Sequence, residues 1–109
     1  MKADDYYIFT LYELKAYDNF EKKCFKWLLE HNKQFQFLRT DAIESEETGK
    51  YFAKIIGIYT DGNEEIFYET DDEYDEPIEA KIEILCEAAG VEKHLNKKHG
   101  MIYSIRKEK

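Results

Sequence analysis

Residues 50–60, KYFAKIIGIYT, run into DGNE at 61–64 and then EIFYET at 65–70, and this succession restricts the fold most. The first run is rich in β-branched and aromatic side chains, which suit a pleated, half-buried surface. Asp-Gly-Asn is turn chemistry, since glycine takes positive φ freely and Asn and Asp bond to their own backbone. Two such runs across a short polar turn read as a β-hairpin. Gly57, inside the stronger strand, marks a bulge or a close packing contact.

The remaining segments divide between strands and helices. YYIFTLYEL (6–14) is a nearly unbroken apolar and aromatic run, expected as a buried strand. Asp18 followed by Glu21 resembles a capping box, and Phe20, Cys24, Trp27 and Leu28 then keep helical spacing to about His31. QFQFLRT (34–40) alternates and predicts a strand with Phe35 and Phe37 inward; DAIESEETG (41–49) reads as a polar connection. Pro77 suits a first helical turn capped by Asp75 or Glu76. Ile78, Ile82, Leu85 and Ala89 would be its core stripe, with Gly90 as its end. VEKHLNKKHG predicts one or two basic helical turns, and MIYSIR (101–106) a last strand. The order β-α-β-β-β-α-β predicts an α+β fold over residues 1–109, with two helices on one face of a mostly antiparallel sheet of about five strands. A ferredoxin-like arrangement with an added hairpin strand fits that order.

A chain of 109 residues is one domain's length, and 43% hydrophobic with 16% aromatic content is that of a globular chain. No apolar run approaches the roughly 20 residues that span a bilayer. MKADDYYIF lacks the basic-then-apolar order of a secretory signal, and the two cysteines, Cys24 and Cys86, form no close-spaced framework. A reducing, cytoplasmic setting is therefore expected. Phe, Tyr, Met, Ile, Asn and Lys are favoured over Gly, Ala, Arg and Pro, by 47 residues to 15, as AT-rich bacterial and phage genomes encode.

Chemistry-bearing patterns are sparse. Counting a calcium loop from Asp61 puts Asp61, Asn63, Glu65, Glu69 and Asp72 at ligand positions, yet Ile66 stands where glycine must make the sharp turn. A metal-binding domain or metal-dependent enzyme built on this hairpin is the alternative to the reading below. Cys86, His94 and His99 lack the paired spacing of a zinc site. Cys24 has no histidine one helical turn away, His31 being seven residues on. Glu79 and Lys81 echo a nuclease motif, but residues two apart on a helix diverge. No cofactor is implied. The six basic residues from Lys93 to Lys109 are offset by an anionic neighbour, which disfavours direct nucleic-acid binding.

That neighbour dominates the charge. Residues 1–54 carry nine basic and ten acidic side chains, residues 55–80 ten acidic and none basic, and residues 81–109 seven basic and four acidic: −1, −10 and +3. The densest part is YETDDEYDEP, 68–77. In an extended chain Glu69, Asp71, Glu73 and Asp75 share one side at about 6.6–6.8 Å spacing, with Asp72 and Glu76 opposite. Tyr68 and Tyr74 add the amphipathic contact area that protein interfaces favour. A solvated loop is the plain expectation for such a run. The specific one is a binding site for a basic protein surface, as in an inhibitor of a nucleic-acid-binding protein, the anti-CRISPR type of phage anti-defence factor included. A plain intracellular domain that forms a homodimer through an edge strand is the third reading.

Overall fold

The computed structural model describes residues 6–10, 16–98 and 100–106. The elements follow as β1 (Tyr6–Thr10), α1 (Tyr17–His31), β2 (Phe37–Glu44), β3 (Tyr51–Ile58), β4 (Glu64–Glu69), α2 (Pro77–Ala88), β5 (Glu92–Asn96) and β6 (Gly100–Arg106). The α+β class is as expected, with helices packed on sheet. The single sheet of about five strands is not: among the described residues six strands divide into two antiparallel sheets, ordered β1-β6-β5 and β2-β3-β4. This is not the one-sheet layout of a ferredoxin-like fold.

The extra strand lies where basic helical turns were expected. The Asn96 side chain accepts the Lys98 backbone N–H at 2.9 Å, and Gly100 takes φ 75°. An Asx turn closed by a left-handed glycine thus folds β5 back onto β6, and pairing overrides a helix-compatible composition. The other edge of β6 takes β1, with Phe9 opposite Tyr103 and Tyr7 opposite Ile105. The expected strand over residues 11–14 lies outside the described residues.

α1 buries Phe20, Cys24 and Leu28, as its spacing predicts, and Phe20 meets Phe9 of β1 edge-on at 5.5 Å. The capping box does not form. The helix begins ahead of Asp18, with Ala16 at the cap position, so Asp18 sits in the first turn, where its charge opposes the helix dipole favourably. Glu21 is used elsewhere: one of its oxygens accepts hydrogen bonds from the Tyr17 hydroxyl (2.6 Å) and the Thr40 hydroxyl (2.7 Å). This joins the first turn of α1 to β2.

α2 starts at Pro77 with Glu76 at the cap position, though no side chain caps it. Its end is a Schellman motif: Gly90 takes φ 64° and the Val91 N–H reaches the Cys86 carbonyl at 2.8 Å. The buried stripe is Ala80, Ile84, Leu85, Cys86 and Ala89, rotated from the expected one, and Ile78 is exposed. The small Ala80 and Ala89 let the helix sit close to the sheet, above Ala53 and Ile55 of β3, which are fully buried.

In β2, Leu38 and Thr40 point inward and Phe37 outward, contrary to the expected inward Phe37. Phe35 is buried but precedes the strand. Its ring lies over Gly57, where any Cβ would collide with it, and it packs against Tyr59 and Phe67. Close packing is therefore why glycine occupies the middle of β3. β2 also continues through Glu44, into the segment expected to be a connection.

Candidate functional site

The acidic stretch owes its shape to the register of β3. Lys54 pairs with Glu69 at the end of β4, and Tyr51 pairs with Tyr74 through mutual backbone bonds of 2.7 and 2.8 Å. Between these anchors residues 70–73 stand opposite only Phe52 and Ala53, so four residues span the length of two and the chain arches outward. The Thr70 hydroxyl accepts the Asp72 N–H at 3.3 Å, and the Thr48 hydroxyl donates to Glu73 at 2.8 Å, bracing the arch.

The expected ladder is partly realised. Glu69, Asp71 and Glu73 line one hollow of about 270 Å³ with Ser45, Phe52 and Thr70. Asp75, 82% exposed, lies 3.8 Å from the Lys50 ammonium, and Glu69 lies 3.8 Å from that of Lys54. Exposed pairs at this distance contribute at most about 1 kcal/mol and are screened by salt. Asp71 and Asp72 are exposed, and among the described residues no cation pairs with either. Glu76 is exposed at the head of α2.

Tyr68 and Tyr74 turn toward the core, half-buried and packed against it. Burial raises the Tyr68 hydroxyl pKa, helped by its bond to Glu87. It raises that of Tyr74 too, reinforced by Glu83, Asp72 and Glu87 and opposed by Lys93. Both rings anchor the acidic segment from beneath. Adjacent residues Phe67 and Tyr68 both reach the core because the pairing register shifts between Ile55 and Ile56, a bulge that places them on one side.

One contribution was not expected. The turn between β2 and β3 holds Glu46 and Glu47, both exposed, and lies against the arch: Ser45 lines the hollow and Thr48 holds Glu73. The SEETG composition signals an acidic turn, but only the strand register shows that it adjoins residues 69–76. This end of the molecule therefore gathers Glu46 and Glu47 with all six carboxylates of the 69–76 segment, against Lys50 and Lys54.

The other candidates do not converge. Asp61 accepts both the backbone and side-chain N–H of Asn63 at 2.9 Å, Glu65 accepts the Tyr59 hydroxyl, Glu69 faces Lys54, and Asp72 rides the arch. Residue 66 is in strand, not in a metal-binding turn. Among the described residues no three His, Cys, Asp or Glu side chains form a metal-holding group. His94 approaches Ser104 at 3.3 Å and Glu92 at 3.4 Å; His99 lies outside the described residues. His31 stacks on Trp27 and donates from Nδ1 to the Trp27 carbonyl at 2.7 Å. Burial holds the thiol pKa of both cysteines high, that of Cys86 at about 12, which keeps them out of the thiolate form. Glu79 and Lys81 are on α2, and the Lys81 ammonium lies 5.9 Å from the centre of the Tyr17 ring.

Comparison with known proteins finds no matching family model, no matching curated relative and no matching solved structure. No helix among the described residues is long and apolar enough to cross a membrane.

Proposed function

We propose that this chain is a small non-enzymatic binding protein whose acidic end engages the basic surface of a partner and inhibits it. A protein that itself binds nucleic acid is the partner class that fits, because its phosphate-binding groove is an array of lysine and arginine. DNA presents a charge about every 1.7 Å of axis over both strands, and closely spaced carboxylates can take the place of phosphates in such a groove. A phage-encoded anti-defence factor of the anti-CRISPR type is the version that the chain's length and AT-rich composition favour.

One observation carries the reading. Eight carboxylates crowd one end of the fold, and Asp71 and Asp72 are lifted off the sheet with no cation paired to either among the described residues. A carboxylate run needed only for solubility has no reason to be braced by Thr48, Thr70 and a strand bridge at Tyr74. Bracing limits the entropy lost on binding.

Affinity capture from the native host tests this, using the chain beside a variant with Asp71→Asn, Asp72→Asn, Glu73→Gln and Asp75→Asn. The expected result is one basic partner retained by the first and lost by the second. Identical partner lists would return the segment to the role of a solvated loop.

A further inference from the structure

The β2-β3-β4 sheet has two faces, and only the inner one is covered by α2. Register places Phe37, Ile43, Phe52, Ile56, Ile58 and Ile66 on the other. Phe37 is 57% exposed and Ile66 48%. A solvated face of an antiparallel sheet is ordinarily polar, so an apolar one indicates an occupant.

Its charges say which occupant. Arg39 is held by Asp41 at 3.1 Å and Glu64 at 2.7 Å, and Lys54 faces Glu69, so both cations of the face are already paired. At one end lies the acidic arch with Glu46 and Glu47; at the other lie Asp61 and Glu64 beside the β3–β4 turn, while Glu65, paired with Gly57, belongs to the inner side. A second copy laid on this face in either direction would set carboxylates against carboxylates at both ends. A nucleic acid would meet the same repulsion. Phe52 belongs both to this face and to the acidic hollow, so the two surfaces are continuous.

We infer that the outer face of the β2-β3-β4 sheet docks a protein segment bearing apolar side chains at its centre and lysine or arginine at both ends. The inference rests on the acidic-end reading above and adds to it that the partner is recognised by its apolar residues as well as by its charge. Register gives the sites: Phe37 beside Ile58, and Ile66 over the buried Ile56, receive the apolar centre, and the two acidic ends receive the cations.

Two synthetic peptides test it, one with isoleucine and phenylalanine between terminal lysines, the other with the same lysines around a Gly-Ser centre. Fluorescence anisotropy should give about tenfold tighter binding for the first. Phe37→Ser and Ile66→Thr, the second of which keeps a β-branched strand residue, should remove that advantage and leave the Gly-Ser peptide and the melting temperature unchanged. Asp71→Asn with Glu73→Gln should weaken both peptides. If the Gly-Ser peptide responds to the acidic substitutions and the apolar one binds no better, this inference is wrong and the acidic-end reading stands. If neither peptide responds to them, both are wrong. Sedimentation showing self-association that Phe37→Ser abolishes would identify a second copy as the occupant and overturn the inference.

Discussion

Gly57 and Phe35 show how far a single position reaches. The ring of Phe35 occupies the space above Gly57 and touches the aromatics of two neighbouring segments, Tyr59 and Phe67. Gly57→Ala should therefore destabilise the fold, by about 1–3 kcal/mol as overpacking typically does, measured as a lower urea midpoint with an unchanged slope. Adding Phe35→Leu, which relieves the collision, should restore part of the loss. Asp71 and Asp72 are the opposite case. Among the described residues no cation pairs with them, so Asp71→Asn with Asp72→Asn should leave the melting temperature equal or raise it at low salt, and a fall would show that the pair has a structural role. In the sequence Gly57 signals only that a side chain is unwanted there. Which neighbour forbids it depends on a turn in the chain between Phe35 and Phe37 that brings one ring inward and leaves the other out, and alternation alone does not show that turn.

Among the elements, α1 and β2 are joined by a polar contact. Tyr17, Thr40 and Glu21 lie within hydrogen-bond distance of one another, the two hydroxyls 2.9 Å apart. Thr40 is buried, so Thr40→Val removes one of the two donors to Glu21 and should cost about 1–3 kcal/mol by denaturant unfolding. Burial, together with the bond to Glu21, raises the Tyr17 pKa well above the ordinary 10.0. The unfolded chain then releases this proton first, so the stabilisation is complete below the ordinary tyrosine range and is lost as pH climbs toward the folded value. The melting temperature should fall between about pH 9 and pH 11, and Tyr17→Phe should make that fall shallower. An equal slope in the variant would exclude Tyr17 as a source. Elements with strong periodicity or turn chemistry were legible: the β3–β4 hairpin, both helices and the final strand. β5 was not, because Glu, Lys and Leu are good helix formers and only pairing with β6 makes this segment a strand. The capping box failed for a related reason, since Glu21 has partners in α1 and a distant strand that local spacing cannot show.

At the scale of the whole molecule, charge is segregated rather than merely abundant. One continuous core joins Phe9 and Ile105 of one sheet, both helices, and Ala53 and Ile55 of the other. On that scaffold the carboxylates of residues 69–76 stand at one end, and the flanking regions are close to neutral or cationic. The density of acid there was plain in the sequence. Its reinforcement by Glu46 and Glu47 was not, because it arises from strand register, and the inward turn of Tyr68 and Tyr74 arises from a bulge and a bridge. The open face carrying Phe37 and Ile66 was hidden for the same reason: whether a strand residue faces core or solvent changes with a shift of one residue. The acidic end is proposed to be there for contact. The most direct test of this is the affinity of the captured partner across a range of ionic strength, for the native chain and for the variant with Asp71→Asn, Asp72→Asn, Glu73→Gln and Asp75→Asn. The native chain should lose affinity steeply as salt rises and the variant should bind weakly with a much flatter dependence; equal slopes for the two would contradict it.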